Sequence, residues 1–439
     1  MINENRGITL IALVITVIIL LILAGTAVTI GVNGGDLFSK TEKAKDKWNK
    51  AQDIETINMY LLFAQASPEY KENKEQEIAS SLAKCNAKNI QIRGNNISFT
   101  LNSTNYRIKP NGEIIEYDYV EPTDIYYKYE SSEQTLYLRS SNSSGYTKGT
   151  NWSTNEDINI SDIKEVTIEE IIAPNTLANW FNNFTNLEKI NGIRNLHTEN
   201  AISMASLFKN CNNIQELDLS LFDTSKVKDI RAMFAHCSSL ITLNVNHFDV
   251  TNVTSLFETF RGCSKLEELD LSQWNTSNID TMGGWEDLGY GGAFLGCSGL
   301  KTLNLNNWDT SNVLHMGHMF DGCTSLTNLI FNLEKFDTSK VESMLKMFQY
   351  CSSLTTLDLS KFNTCNVVHM SYMFLGCTNL KTIYVSNLFN TDNVAYSGLM
   401  FRSCSNLVGG NGTAYNIQNE DKTYAVVDTL QNPGYFTLK

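Results

Sequence analysis

The sequence predicts an α+β chain with repeats: a long apolar N-terminal helix, a small α+β head, then a solenoid of stacked repeats with terminal caps. Three observations carry this reading. Residues 8–35 hold no charge, and residues 36–122 pass from helical to alternating hydrophobic spacing. From residue 204 a cysteine returns about every 26 residues inside one constant frame. Composition excludes several other classes. With 18% charged and 10% aromatic residues the chain is too apolar for intrinsic disorder. Only 5 Pro against 26 Gly excludes a proline-rich or collagen-like rod. A formal charge of -13 argues against a nucleic-acid partner, because phosphate binding needs clustered Lys and Arg.

The first element is the uncharged run Ile8–Gly35. As a helix it spans roughly 42 Å at about 1.5 Å per residue, more than the ~30 Å of a hydrocarbon core. The residues before it, MINENRG, with the following Ile8-Thr9-Leu10-Ile11, resemble the prepilin processing site of type IV pilins and pseudopilins. The resemblance implies a leader at 1–7 and a transmembrane helix at 8–35. It also implies cleavage after Gly7 by a prepilin peptidase, methylation of Ile8, and association with other pilin-like subunits. The protein would sit in the cell membrane with one pass and an extracellular C-terminal domain, at the cell surface or a pilus tip. Ile8 and Ala12 stand where the family usually has Phe and Glu. The missing carboxylate implies a minor or tip position, because it cannot neutralise a neighbour's buried terminal amine. A plain single-pass anchor is the alternative. The lysines at 40, 43, 45, 47 and 50 favour the opposite orientation on a positive-inside count.

Next comes a helix from Asp36 to Gln65, with Leu37, Ala44, Trp48, Ala51, Ile54, Ile57, Leu61 and Leu62 mostly three, four or seven apart. Asp36 reads as its N-cap and Pro68 as its stop. A shorter helix follows over Glu75–Ala87. Four alternating runs then end at Gly94-Asn95, Asn102-Ser103 and Asn111-Gly112 and predict a small antiparallel sheet. Helix followed by meander over 36–122 resembles the head of a small pilin.

Column cysteines stand at 211, 237, 263, 297, 323, 351, 377 and 404. All but Cys263, which follows Thr259-Phe260, follow an apolar-Phe pair, and all but Cys404 precede apolar residues three, six and eight positions on, as in Met347-Phe348, Cys351, Leu354, Leu357 and Leu359. Leu-x-x-Leu-x-Leu with this period is a leucine-rich-repeat strand. The fuller frame, MF-x-x-C-S-S-L-T-x-L-D-L-S-x-F-D-T-S-N-V, resembles the BspA-type leucine-rich repeats of bacterial surface proteins. The predicted layout is an N-terminal cap at 123–203, repeats at 204–408 and a C-terminal cap at 409–439. Each unit is too small to bury its own apolar edge, so units stack.

The cysteine column reads as reduced, buried thiols, with disulfides between neighbouring turns as the alternative. No CxxC occurs, and His315, His318 and His369 do not accompany the column in a ligand pattern, so no metal or cofactor is expected. HExxH, GxSxG, GxxxxGK[ST] and EF-hand motifs are absent from the sequence, and no catalytic residue is expected. Gly283-Gly284 to Gly291-Gly292 bracket an eight-residue insertion that carries Trp285 and Tyr290. The outward face of the predicted ladder carries Asp218, Asn244, Asp270, Asn304, Ile330, Asp358 and Tyr384. All of these but Ile330, with Trp285 and Tyr290, form the candidate ligand surface, and a merely solvated face is the alternative. The expected function is adhesion or recognition of a host or bacterial surface protein or glycan. The rival is a structural minor pseudopilin of a type IV pilus or a type II secretion-like machine.

Overall fold

The computed structural model describes residues 34–71, 73–93, 96–102, 104–108, 112–116, 123–284 and 291–439. The processing site Gly7–Ile8 and almost all of the apolar run lie outside these residues, as do Trp285 and Tyr290. Among the described residues no helix is long and apolar enough to cross a membrane. The chain divides into two compact units, one built on the helices and one holding residues 123–439.

In the first unit, α1 (Gly34–Gln65) buries Asp53, Ile57 and Ala64, four and seven residues apart on one face. Asp36 lies within α1 and does not cap it. The second helix, α2 (Lys74–Lys84), packs on α1 through Ile78 and Leu82 and stops before Cys85, short of the predicted Ala87. The thiol of Cys85 bonds the Leu82 carbonyl at 3.0 Å. Strands β1 (Lys88–Arg93), β2 (Asn96–Leu101), β3 (Thr104–Ile108) and β4 (Ile114–Glu116) pair in sequential order. Asp53 ties helix to sheet. Its carboxylate accepts from Asn102 Nδ2 at 2.8 Å and from the Tyr106 hydroxyl at 2.9 Å. Burial and the bond to Asp53 push the Tyr106 phenol well above its usual range.

The second unit begins with an antiparallel hairpin, β5 (Tyr126–Glu130) and β6 (Thr135–Arg139), with β7 (Thr147–Lys148) on its outer side. Strand β6 also pairs in parallel with β8 (Glu165–Ile168), and β8 with β9 (Lys189–Asn191). The parallel ladder therefore already runs inside the segment predicted as a cap. β5 and β7 cover its first edge, where unpaired backbone would otherwise invite strand addition. Glu170 clamps the end of β6, accepting from Arg139, from the Ser141 amide at 2.9 Å and from both serine hydroxyls beside it. The Arg139 guanidinium and the Ser141 hydroxyl bring its carboxyl down to about 2.

Further along the solenoid, β10 (Glu268–Asp270), β11 (Thr302–Leu305) and β12 (Asn328–Phe331) pair in parallel, with Leu269, Leu303 and Leu329 in register. A later sheet holds β13 (Thr356–Asp358), β14 (Thr382–Val385) and β15 (Phe436–Leu438), with Leu357, Ile383 and Phe436 aligned. The chain thus leaves the ladder after the last cysteine and returns to supply a final rung. Buried Asp428 holds that excursion, accepting from the amides of Asn411 at 2.8 Å and Thr413 at 2.9 Å and from the Thr413 hydroxyl at 2.6 Å.

Candidate functional site

The site is a face, and its shape follows from what each repeat buries. All eight column cysteines are buried and free. Each thiol donates to the carbonyl of a phenylalanine one turn back, from Cys211 to Phe181 through Cys404 to Phe374, at 3.0–3.2 Å. The phenylalanines form a column of their own, Phe181, Phe208, Phe234, Phe260, Phe294, Phe320, Phe348, Phe374 and Phe401. Neighbouring rings stack at 5.4–6.0 Å between centroids. The residue before each column cysteine is left-handed, with φ from 56° to 75°; Asn210, His236, Tyr350 and Ser403 take this conformation alongside four glycines.

Burial drives every column thiol upward in pKa, to about 12 for Cys297 and Cys404. Few thiolates therefore exist at neutral pH. Under native conditions maleimide should label Cys85 and Cys365, which are half-buried, and leave the column unmodified until the protein is denatured. Peptide mass spectrometry reads the outcome. Fast labelling of most column positions would contradict the packed column.

The Asp-Thr-Ser-Asn segment closes the opposite side of each turn through side-chain bonds to the backbone. Thr224 Oγ1 donates to the Asp249 carbonyl at 3.0 Å and accepts from the Asp249 amide at 2.7 Å. The Asp223 carboxylate accepts from the Ser225 amide at 2.9 Å, and Asn252 Nδ2 donates to the Ser225 carbonyl at 2.8 Å. The same threonine bridge recurs between Thr276 and Asp309, at 2.9 Å in both directions. The threonine and asparagine partners lie 25–33 residues apart, so the segment binds turn to turn. It is structural. The sequence singled out its repetition but not its bonds.

The ladder leaves a third side open, and the described residues of the predicted surface fall on it. Asp270, Asn304 and Ile330 align across β10–β12, and Asp358 aligns with Tyr384 across β13–β14. Asp218 and Asn244 follow the separate bridge Glu216↔Thr242. Four of these side chains have a first duty to the turn that follows. Asp218 accepts from the Ser220 amide at 3.2 Å, Asp270 from Ser272 at 2.9 Å, Asn304 from Asn306 at 3.2 Å and Asp358 from Ser360 at 3.0 Å. The recurring Asp-Leu-Ser is the sequence signal for this turn.

Ser220, with Arg194 at 3.2 Å, holds the Asp218 carboxyl below its usual range. Burial works against the Asp358 carboxyl, but Lys439 and Ser360 prevail and lower it. Tyr384 is half-buried, with the Lys439 ammonium 5.6 Å from its ring centroid, so the chain's own C-terminus covers one face of the predicted aromatic contact.

The histidines sit away from this face. His315, Ser343, His369 and Tyr396 follow one another in a second line of parallel bridges. Ser343 separates the two imidazoles, and His369 stacks on Tyr396 at 5.0 Å. His318 Nδ1 lies 2.8 Å from the buried Asp321 carboxylate. Among the described residues no group of His, Cys, Asp and Glu is arranged to hold a metal.

A family described as "Mycoplasma protein of unknown function, DUF285" matches residues 175–285 and 290–426, more than half of the chain. No curated protein matches it. A solved leucine-rich-repeat protein from Eubacterium ventriosum ATCC 27560 is 13% identical, with 70% of this chain and 95% of that one covered and a TM-score of 0.21. A Leptospira interrogans LRR protein is also 13% identical, with 61% and 86% covered and a TM-score of 0.18. At these TM-scores the likeness adds nothing to the fold, which rests on the parallel ladder itself.

Proposed function

The chain belongs to the DUF285 family, and from that premise we propose that it is a surface recognition protein whose ladder face contacts a protein or glycan on a host or another bacterium. One observation carries this reading. The ladder sets outward side chains in columns at about 4.7–4.9 Å on a rigid frame. Beside the turn-capping residues, Thr242, Thr302, Asn328, Thr356 and Thr382 stand without capping duty, Thr302 aligned with Asn328 and Thr356 with Thr382. Such a face offers many weak contacts in fixed register. The first 33 residues complete the proposal. Their uncharged run and the resemblance at Gly7–Ile8 support a membrane-anchored, prepilin-processed protein that displays the solenoid outside the cell.

The test compares the full-length protein with the variant Thr242→Lys, Thr302→Lys, Thr356→Lys for saturable binding to matrix proteins, glycans and bacterial cells. At least about tenfold weaker binding by the variant supports the face, since each forced charge costs binding energy. Absence of saturable binding to any target leaves the structural pseudopilin reading. Mass spectrometry of the mature N-terminus tests the anchor: a start at Ile8 supports processing, and any other start overturns it.

A further inference from the structure

We propose that the groove beside Ile241, where the ladder opens, receives an extended protein segment bearing Lys or Arg. This names the partner chemistry for the recognition face above and rests on that reading. The turn at 242 is bridged to Glu216, and β10 is paired to β11. Among the described residues, however, no bridge or backbone hydrogen bond joins 241–244 to 267–270. The parted turns leave a groove of about 550 Å³. Its apolar floor is Leu217, Leu243 and Ile241, the last 47% exposed.

Carboxylates rim this floor. Asp218 is paired with Arg194 at 3.2 Å, and Glu267 with Lys301 at 2.9 Å. Glu216 and Glu268 are exposed and have no ion pair among the described residues. Apolar surface in one groove with two carboxylates that have no ion pair among the described residues complements a side chain with an alkyl stem and a cationic head. A neutral or acidic segment would cover the floor and leave both charges unanswered. The ladder opens again between β12 and β13, over a groove of about 290 Å³ lined by Leu329, Phe331, Leu333 and Leu357. There the one carboxylate, Asp358, already has Lys439. Of these two grooves only the one beside Ile241 carries carboxylates without an ion pair among the described residues.

Full-length protein is titrated into fluorescein-labelled peptides alternating Arg-Leu or Glu-Leu, with anisotropy as the readout. The Arg-Leu peptide should bind, and more weakly as salt rises from about 50 to 500 mM, while the Glu-Leu peptide should not bind. Glu216→Gln with Glu268→Gln should weaken binding about fivefold or more, and Ile241→Ser about threefold. The charge-matched control Glu342→Gln with Asp392→Asn should stay within about twofold. Equal binding of the two peptides, or no effect of the groove variants, overturns the proposal and leaves the recognition reading standing. So does absence of peptide binding by a protein that still binds a surface target. If it binds neither peptide nor target, the recognition reading fails as well.

Discussion

Phe294→Ala is expected to destabilise the solenoid by about 3–5 kcal/mol, the range for removing a large buried aromatic. Phe294 is fully buried, stacked on Phe260 at 5.5 Å and on Phe320 at 5.8 Å, with Trp308 at 6.2 Å. Its backbone carbonyl also accepts the Cys323 thiol. The void would sit at the interface between adjacent turns, which is where a repeat array holds its stability. Trp274 and Trp308 are buried beside this column, so their fluorescence in a urea titration reports its loss. Ile330→Ala, on the outward ladder and 36% exposed, is the control and should change stability by about 0.5 kcal/mol or less. A shift for Phe294→Ala no larger than the control's would show that the rings are loosely held.

The second large effect comes from adding an atom. Gly283→Ala should cost about 3 kcal/mol or more, at the upper end for overpacking. A Cβ on Gly283 would lie 1.8 Å from the Gly317 carbonyl oxygen and 2.8 Å from its carbon. Gly292 meets the His318 carbonyl at 2.0 Å, and Gly317 meets that of Gly284 at 2.2 Å. These contacts are backbone against backbone, so no side chain can swing aside. The glycines are therefore required by close approach of the insertion's two ends, bridged as Gly283↔Gly292, to the next turn. A methyl group added at Gly398, where φ is ordinary, would meet nothing within 4 Å, so Gly398→Ala should be neutral or slightly stabilising. Equal melting temperatures for the two variants would show that the insertion's ends are not pressed against the next turn.

The glycine cluster shows where reading by sequence stops. Gly283-Gly284 and Gly291-Gly292 mark the insertion plainly, yet their reason lies at Gly317 and His318, one turn later. The same holds for Asp218, Asp270 and Asp358. Their alternation along the ladder was legible as a surface pattern. Their bonds to Ser220, Ser272 and Ser360 show that the side chains first close the turn and only then face outward. Tyr384 is a sharper case. Its place in the ladder followed from the repeat, but Lys439, which covers it, is distant in sequence and arrives with β15.

By itself the sequence determined the repeat period, the inward cysteines and leucines, and the helix-then-strand order of the first unit. Each repeat poses the same local packing problem, so spacing alone states the solution many times over. Only the tertiary structure decided how the polar residues are used, where the ladder parts to open its grooves, and that the final rung comes from Phe436–Leu438. The physical reason is common to all three. The hydrophobic pattern repeats in every turn and is read from spacing alone, whereas the partners of hydrogen bonds such as Thr224 to Asp249 lie in different turns and follow no such spacing rule. Those bonds depend on how neighbouring turns are stacked, and stacking exists only once the chain has folded.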